Sequence, residues 1–143
     1  VGLALAACAP DPAVSPSANP EPPSTASPAQ EVPRYQPDGS ADENLPIFSA
    51  VTGQVWASDQ RGSGRAYVDA LVAAGFDRTA MQVTQDLTTV GNPVESLQFS
   101  VRWGEEDCLI GQVGPSTGEP VTAVVDQLAE GRCLVGNTRP IDW

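Results

Sequence analysis

Three cysteines, Cys8, Cys108 and Cys133, are the residues of this chain best suited to covalent chemistry. Other reactive side chains are scarce. There is no histidine, so the commonest general base and the commonest metal ligand are both missing. All seven basic residues are arginines; without lysine, Schiff-base chemistry and a P-loop are excluded. What remains for acid–base work is a set of 18 carboxylates. No cofactor is expected, and two isolated cysteines without histidine or a CxxC make a poor metal site. An odd number of cysteines asks for one with a separate fate.

Cys8 stands apart. It closes the apolar run Leu3–Ala7 and is followed at once by a proline-rich segment. The tetrapeptide Leu5-Ala6-Ala7-Cys8 resembles the lipobox of bacterial lipoproteins, where Leu, two small residues and Cys mark the cleavage site. The resemblance implies that Cys8 takes a diacylglycerol thioether and becomes the first residue of the mature chain. Residues 1–8 are then the end of a lipoprotein signal peptide, and the protein faces outside the cytoplasm on the cell membrane. The membrane is the first expected partner, reached through that anchor. No later apolar run approaches the ~20 residues of a spanning helix.

Residues 9–43 read as a stalk. They hold nine of the fourteen prolines with Ser and Ala between them, and no Leu, Ile or Phe. Such a segment buries too little apolar surface to offset its ordering entropy. Extended as polyproline II, it would reach at most roughly 100 Å. The remaining residues, 44–143, suffice for one small core.

Export changes the meaning of Cys108 and Cys133. In an oxidising compartment the pair is expected to form a disulfide. Closing such a loop stabilises a domain by roughly 3–4 kcal/mol in the loop-entropy picture.

The elements that must hold this bridge follow from periodicity. Asn44 is a candidate N-cap, with Ile47, Phe48, Val51 and Val55 at helical spacing. Ser63 caps a second helix, GRAYVDALVAA, and Gly75 closes it with Phe76 folding back on Leu71. Strands follow at MQVTQDLTT, at Leu97–Trp103 with period-two alternation, and at CLIGQV after a GEED hairpin tip. Val121, Val124, Val125 and Leu128 are spaced i, i+3, i+4, i+7, which predicts a third helix. CLVG reads as a last strand, and the tail ending in Ile141 and Trp143 should dock on the core. The expected fold is α+β, a mainly antiparallel sheet with helices on one face, in the order α-α-β-β-β-α-β.

The net charge of −11 and the lack of a basic stripe argue against nucleic acid. Glu105, Glu106 and Asp107 lack the spaced ligands of a calcium loop and read as a solvated turn. The polar face bearing Thr84, Asp86, Gln98, Ser100 and Arg102 is the expected interaction surface, toward an envelope protein or a wall polymer. The function expected is therefore non-enzymatic: envelope binding or structural support. The alternatives are a small wall hydrolase using two carboxylates, or an inhibitor-like domain acting through GEED.

With these residues laid out, the chain is similar to a family of uncharacterised actinobacterial lipoproteins. They share a lipobox, a Pro/Ser/Ala stalk and one small C-terminal domain of unknown function. The segments carrying the similarity are YVDALVAAGFDRTAMQVTQDLTTVGNPVESLQFSVRWGEEDCLIGQVG and GRCLVGNTRPIDW. The similarity implies a cell-envelope location and brings no activity, cofactor or catalytic residue.

Overall fold

Two helices lie against one face of a five-stranded antiparallel sheet. The computed structural model describes residues 31–143 together with Gly2, so Cys8 and most of the expected stalk lie outside the described residues. Helix α1 spans Ala41–Trp56 and α2 spans Gly64–Ala74. The strands are β1 Met81–Thr84, β2 Leu97–Trp103, β3 Asp107–Val113, β4 Val121–Asp126 and β5 Thr138–Arg139. Their order across the sheet is β4-β3-β2-β1-β5, with every neighbouring pair antiparallel. Among the described residues no helix is long and apolar enough to cross a membrane.

The N-terminal boundary differs from the sequence expectation. Helix α1 starts at Ala41, capped by Ser40, not at Asn44. Ser40 Oγ accepts from the Glu43 amide, and the Glu43 carboxylate accepts from the Ser40 amide: a reciprocal capping box. Asn44 is fully buried instead. Its amide side chain accepts from the Gln36 N–H and donates to the Gln36 and Ser40 carbonyls. Tyr35, the lone aromatic of the expected stalk, packs edge-on against Phe76 and Trp103 at 5.0 and 6.0 Å. The compact unit accordingly begins at Val32.

Helix α2 matches its sequence signals. Ser63 caps the Ala66 amide. At the other end the Gly75 N–H reaches the Val72 carbonyl and the Phe76 N–H the Leu71 carbonyl, the bond pair of a Schellman cap. Gly75 has φ +123°, and a Cβ there would lie 2.6 Å from the Tyr35 ring. Glycine is needed both for the dihedral and for the seating of Tyr35.

The core is the interface of helices and sheet. Phe48 and Val51 from α1 meet Tyr67, Val68 and Leu71 from α2, over Val83, Phe99, Val101, Leu109 and Val113. The Phe99 ring stacks on Tyr67 at 4.6 Å and approaches Phe48 at 5.8 Å. Its other flank lies over Gly111, directly across the β2–β3 ladder, where a Cβ would come within 2.4 Å of the ring.

The expected third helix is strand β4. Val121, Ala123 and Val125 share one face, while Thr122 and Val124 share the face toward α1, where Ser49 and Thr122 hydroxyls bond at 2.6 Å. Both faces are half-buried, so apolar residues fall on both parities and imitate a helical stripe. The β-branched valines favour the extended form.

Strands β4 and β5 are opposite edges of the sheet, so the chain between them must cross about 19 Å of ladder. It crosses as a strap on the face away from the helices. The Cys108–Cys133 disulfide, with Cα atoms 5.7 Å apart, ties the strap to β3. Gln82 Oε1 on β1 accepts from the Cys133 and Leu134 amides at 2.8 and 3.3 Å. The expected strand CLVG is therefore irregular backbone, with Cys133 and Leu134 buried against the sheet. The last strand lies instead at Thr138–Arg139, within the expected tail.

The tail docks as expected. The Trp143 indole N–H donates to Asp69 on α2, and the guanidinium groups of Arg65 and Arg139 lie 5.4 and 5.2 Å from its ring centre. Arg78 donates to the Trp143 main-chain oxygen.

Candidate functional site

Of the five residues expected to form one polar face, four share a side of the sheet and Asp86 does not. Thr84, Gln98, Ser100 and Arg102 do project from the side opposite the helices, but the strap covers part of it. Ser100 is 1 % exposed and so contributes nothing to an open surface. Thr84 Oγ1 accepts from the Gln98 amide, and both side chains are only partly exposed. Arg102 is exposed near the strap, beside Gly131. Asp86 lies elsewhere. It follows the end of β1 and turns back to the N-terminus of α2, where Oδ1 accepts from the Gly64 N–H at 2.9 Å. A carboxylate at that end complements the helix dipole. Arg139 pairs with Asp86 at 3.3 Å. The position had suggested an outward polar residue; its role is to anchor a helix start to the sheet. The glycine permits this, since a Cβ on residue 64 would meet Val83 and Asp86 at 2.7 and 2.8 Å.

Glu105 and Glu106 are exposed at the β2–β3 turn, consistent with a solvated hairpin tip. Among the described residues no group of three or more metal-ligating side chains is assembled.

The structure does form one site that sequence reasoning missed. A cleft of about 430 Å³ opens at the end of the sheet where three connections converge. These are the α1–α2 loop, the long β1–β2 excursion and the β3–β4 loop. Its floor is Leu97 and Val113, a register pair of β2 and β3, both buried. Trp56, Val94, Pro93 and Pro115 form apolar walls. Two charged residues line it, Arg61 and Asp86. The size and the mainly apolar wall are those of a small-molecule site.

Each wall is held by hydrogen bonds. The Ser116 hydroxyl and amide both donate to the Glu95 carbonyl, at 2.7 and 3.3 Å, joining two of the loops. Gly114, at φ +142°, lets them approach; a Cβ there would lie 2.3 Å from the same carbonyl oxygen. The Val94 N–H donates to the Asp86 carbonyl. The α1–α2 loop is fixed by Tyr67, whose hydroxyl donates to the Arg61 carbonyl at 2.8 Å. The Arg61 guanidinium stands 4.8 Å over the Trp56 ring. Nothing in the spacing of the α1–α2 loop links it in sequence to loops fifty residues away.

Burial pushes the Tyr67 phenol up from 10.0 to about 12, with Arg61 opposing the shift. The unfolded chain loses this proton near pH 10, while the folded chain keeps it. The stabilising effect is complete below about pH 10 and is lost as pH rises toward about 12. Tyr67→Phe is expected to cost about 1 kcal/mol at neutral pH, from the lost hydrogen bond. It should also flatten the alkaline decline between those limits. Urea midpoints measured from pH 7 to pH 12 on both proteins check this.

The family described as Domain of unknown function (DUF6993) matches residues 52–137, and this chain belongs to that family. The matched span runs from the C-terminal end of α1 to the end of the strap, so it contains the whole cleft and the disulfide. No curated protein and no solved structure matches the chain.

Proposed function

We propose that this protein is a lipid-anchored, extracytoplasmic binding module without catalytic activity, held on the membrane through Cys8. The observation that carries the reading is the Cys108–Cys133 bridge. A buried disulfide holding a crossover strap in place suits an oxidising compartment and not the cytosol. The Leu5-Ala6-Ala7-Cys8 run supplies a means of export and retention, and the proline-rich segment up to Val32 supplies reach from the membrane.

Binding rather than hydrolysis is supported by the cleft. Carboxylate hydrolysis of a glycan needs two carboxyl groups in different protonation states. The cleft is lined by one, Asp86, already engaged by the Gly64 amide and Arg139. Apart from Arg61 and three glycines, the rest of the lining is apolar wall suited to holding a ligand.

Fractionation of the host cell tests the anchoring. Wild-type protein is expected in the membrane fraction, released by detergent and not by salt, and Cys8→Ala protein should leave that fraction. Wild-type protein recovered in the cytosol, with both Cys108 and Cys133 as free thiols, would overturn the proposal.

A further inference from the structure

We propose that the cleft between the three loops binds an amphipathic carboxylate: a single anionic head beside Arg61 and an apolar body against Trp56, Pro93, Val94 and Pro115. This deepens the binding reading above by naming the ligand class, and it does not depend on acylation of Cys8. The charges within the site decide the sign of the head group. Asp86 is neutralised locally by Arg139 and by the Gly64 N–H. Arg61 has no acidic partner among the described residues, and its one side-chain hydrogen bond is a 3.4 Å contact to the Ser58 carbonyl. Its guanidinium is held in place by the Trp56 face and by the Tyr67 bond to its own carbonyl. The cleft therefore presents an unmatched, oriented cation at the rim of an apolar pocket. A planar guanidinium recognises a carboxylate through two parallel hydrogen bonds.

The body of the ligand must be apolar because the accessible walls are: Pro93 and Pro115 are exposed and Trp56 and Val94 half-buried, whereas Leu97 and Val113, at 3 % and 0 % exposure, offer almost no surface. A volume near 430 Å³ admits a compact molecule and excludes a whole bilayer lipid. The chain's charge of −11 opposes any anion at long range. At physiological salt, screening confines that repulsion to about 8 Å, so a direct contact with Arg61 governs the bound state.

The test uses the purified full chain and three probes with one tail: octanoate, octylammonium and 1-octanol. Binding is read from Trp56 fluorescence, with Trp56→Phe protein identifying that residue's share of the signal. Octanoate should saturate the response and bind about tenfold more tightly than octylammonium, as expected for one charge-assisted hydrogen-bonded pair. Arg61→Gln should abolish that preference, and Arg61→Glu should reverse it. Arg61 is exposed, so both variants should melt as wild type does; this confirms that the cleft is intact. Equal or tighter binding of octylammonium overturns the proposal. So does unchanged octanoate affinity in Arg61→Gln, or the absence of saturation. Retention on anionic phospholipid vesicles without any response to free octanoate also overturns it, because the surface would then be reading a membrane. Each of these failures leaves the anchoring at Cys8 to be judged on its own fractionation result.

Discussion

Replacing Phe99 with alanine is expected to cost about 3–5 kcal/mol of folding stability, enough to unfold a marginal domain of this size. The ring is 1 % exposed at the centre of β2. It touches both helices and the neighbouring strand, stacking on Tyr67, meeting Phe48 and filling the space over Gly111. Gly111 has no side chain to expand into the void, and the backbone ladder between β2 and β3 prevents collapse. The cavity term should therefore approach its upper range. Urea denaturation of the purified variant measures this. A loss under about 1 kcal/mol would mean that the helices do not pack on this ring as described.

Removing the disulfide is the second large effect. Cys108→Ser/Cys133→Ser protein is expected to lose roughly 3–4 kcal/mol, from loop closure over a separation of 25 residues. The strap would then be held by the Gln82 clamp and by Gln127, whose side chain donates to the Gly104 and Asp107 carbonyls. Exposed strand surface on that face should follow, since Cys133 and Leu134 cover it. Reduced wild-type protein should melt close to the double variant, whereas oxidised wild type melts well above both. Octanoate binding should survive in the double variant below its melting point, because the cleft and the bridge draw on different residues. Equal melting temperatures for oxidised and reduced wild type would show that the strap is not held by this bond.

Local signals were legible in the sequence where they were self-contained. The second helix is bounded by Ser63 and Gly75, with Phe76 folding back, all within fourteen residues. Strand β2 shows clean alternation because its two faces differ: core on one side, polar groups and the strap on the other. The C-terminal domain of unknown function and the cysteine pairing also survive, since neither needs the strand order. Strand β4 did not read as a strand, because a segment half-covered on both faces has lost the period of two. The start of the domain was hidden by composition. Proline and serine dominate residues 9–43, and only Tyr35 signals that the last part of that stretch folds onto Phe76 and Trp103. The strap was invisible for a topological reason. Only the order β4-β3-β2-β1-β5 forces the chain back across the sheet and buries Ser100. The cleft was illegible for the same reason, as Arg61, Val94 and Pro115 meet only through long-range register.

The domain combines a cross-linked strap on one side of the sheet with a cleft held open by hydrogen bonds at its end, and the compartment proposed for it is an oxidising one. The functional reading depends on that compartment. Mass spectrometry of the mature protein, isolated from its own host, tests it most directly. The expected result is an N-terminal Cys8 carrying a diacylglycerol thioether, and Cys108 joined to Cys133 in a single cross-linked peptide. A mature chain with an unmodified Cys8 thiol, and with Cys108 and Cys133 both reduced, would contradict it.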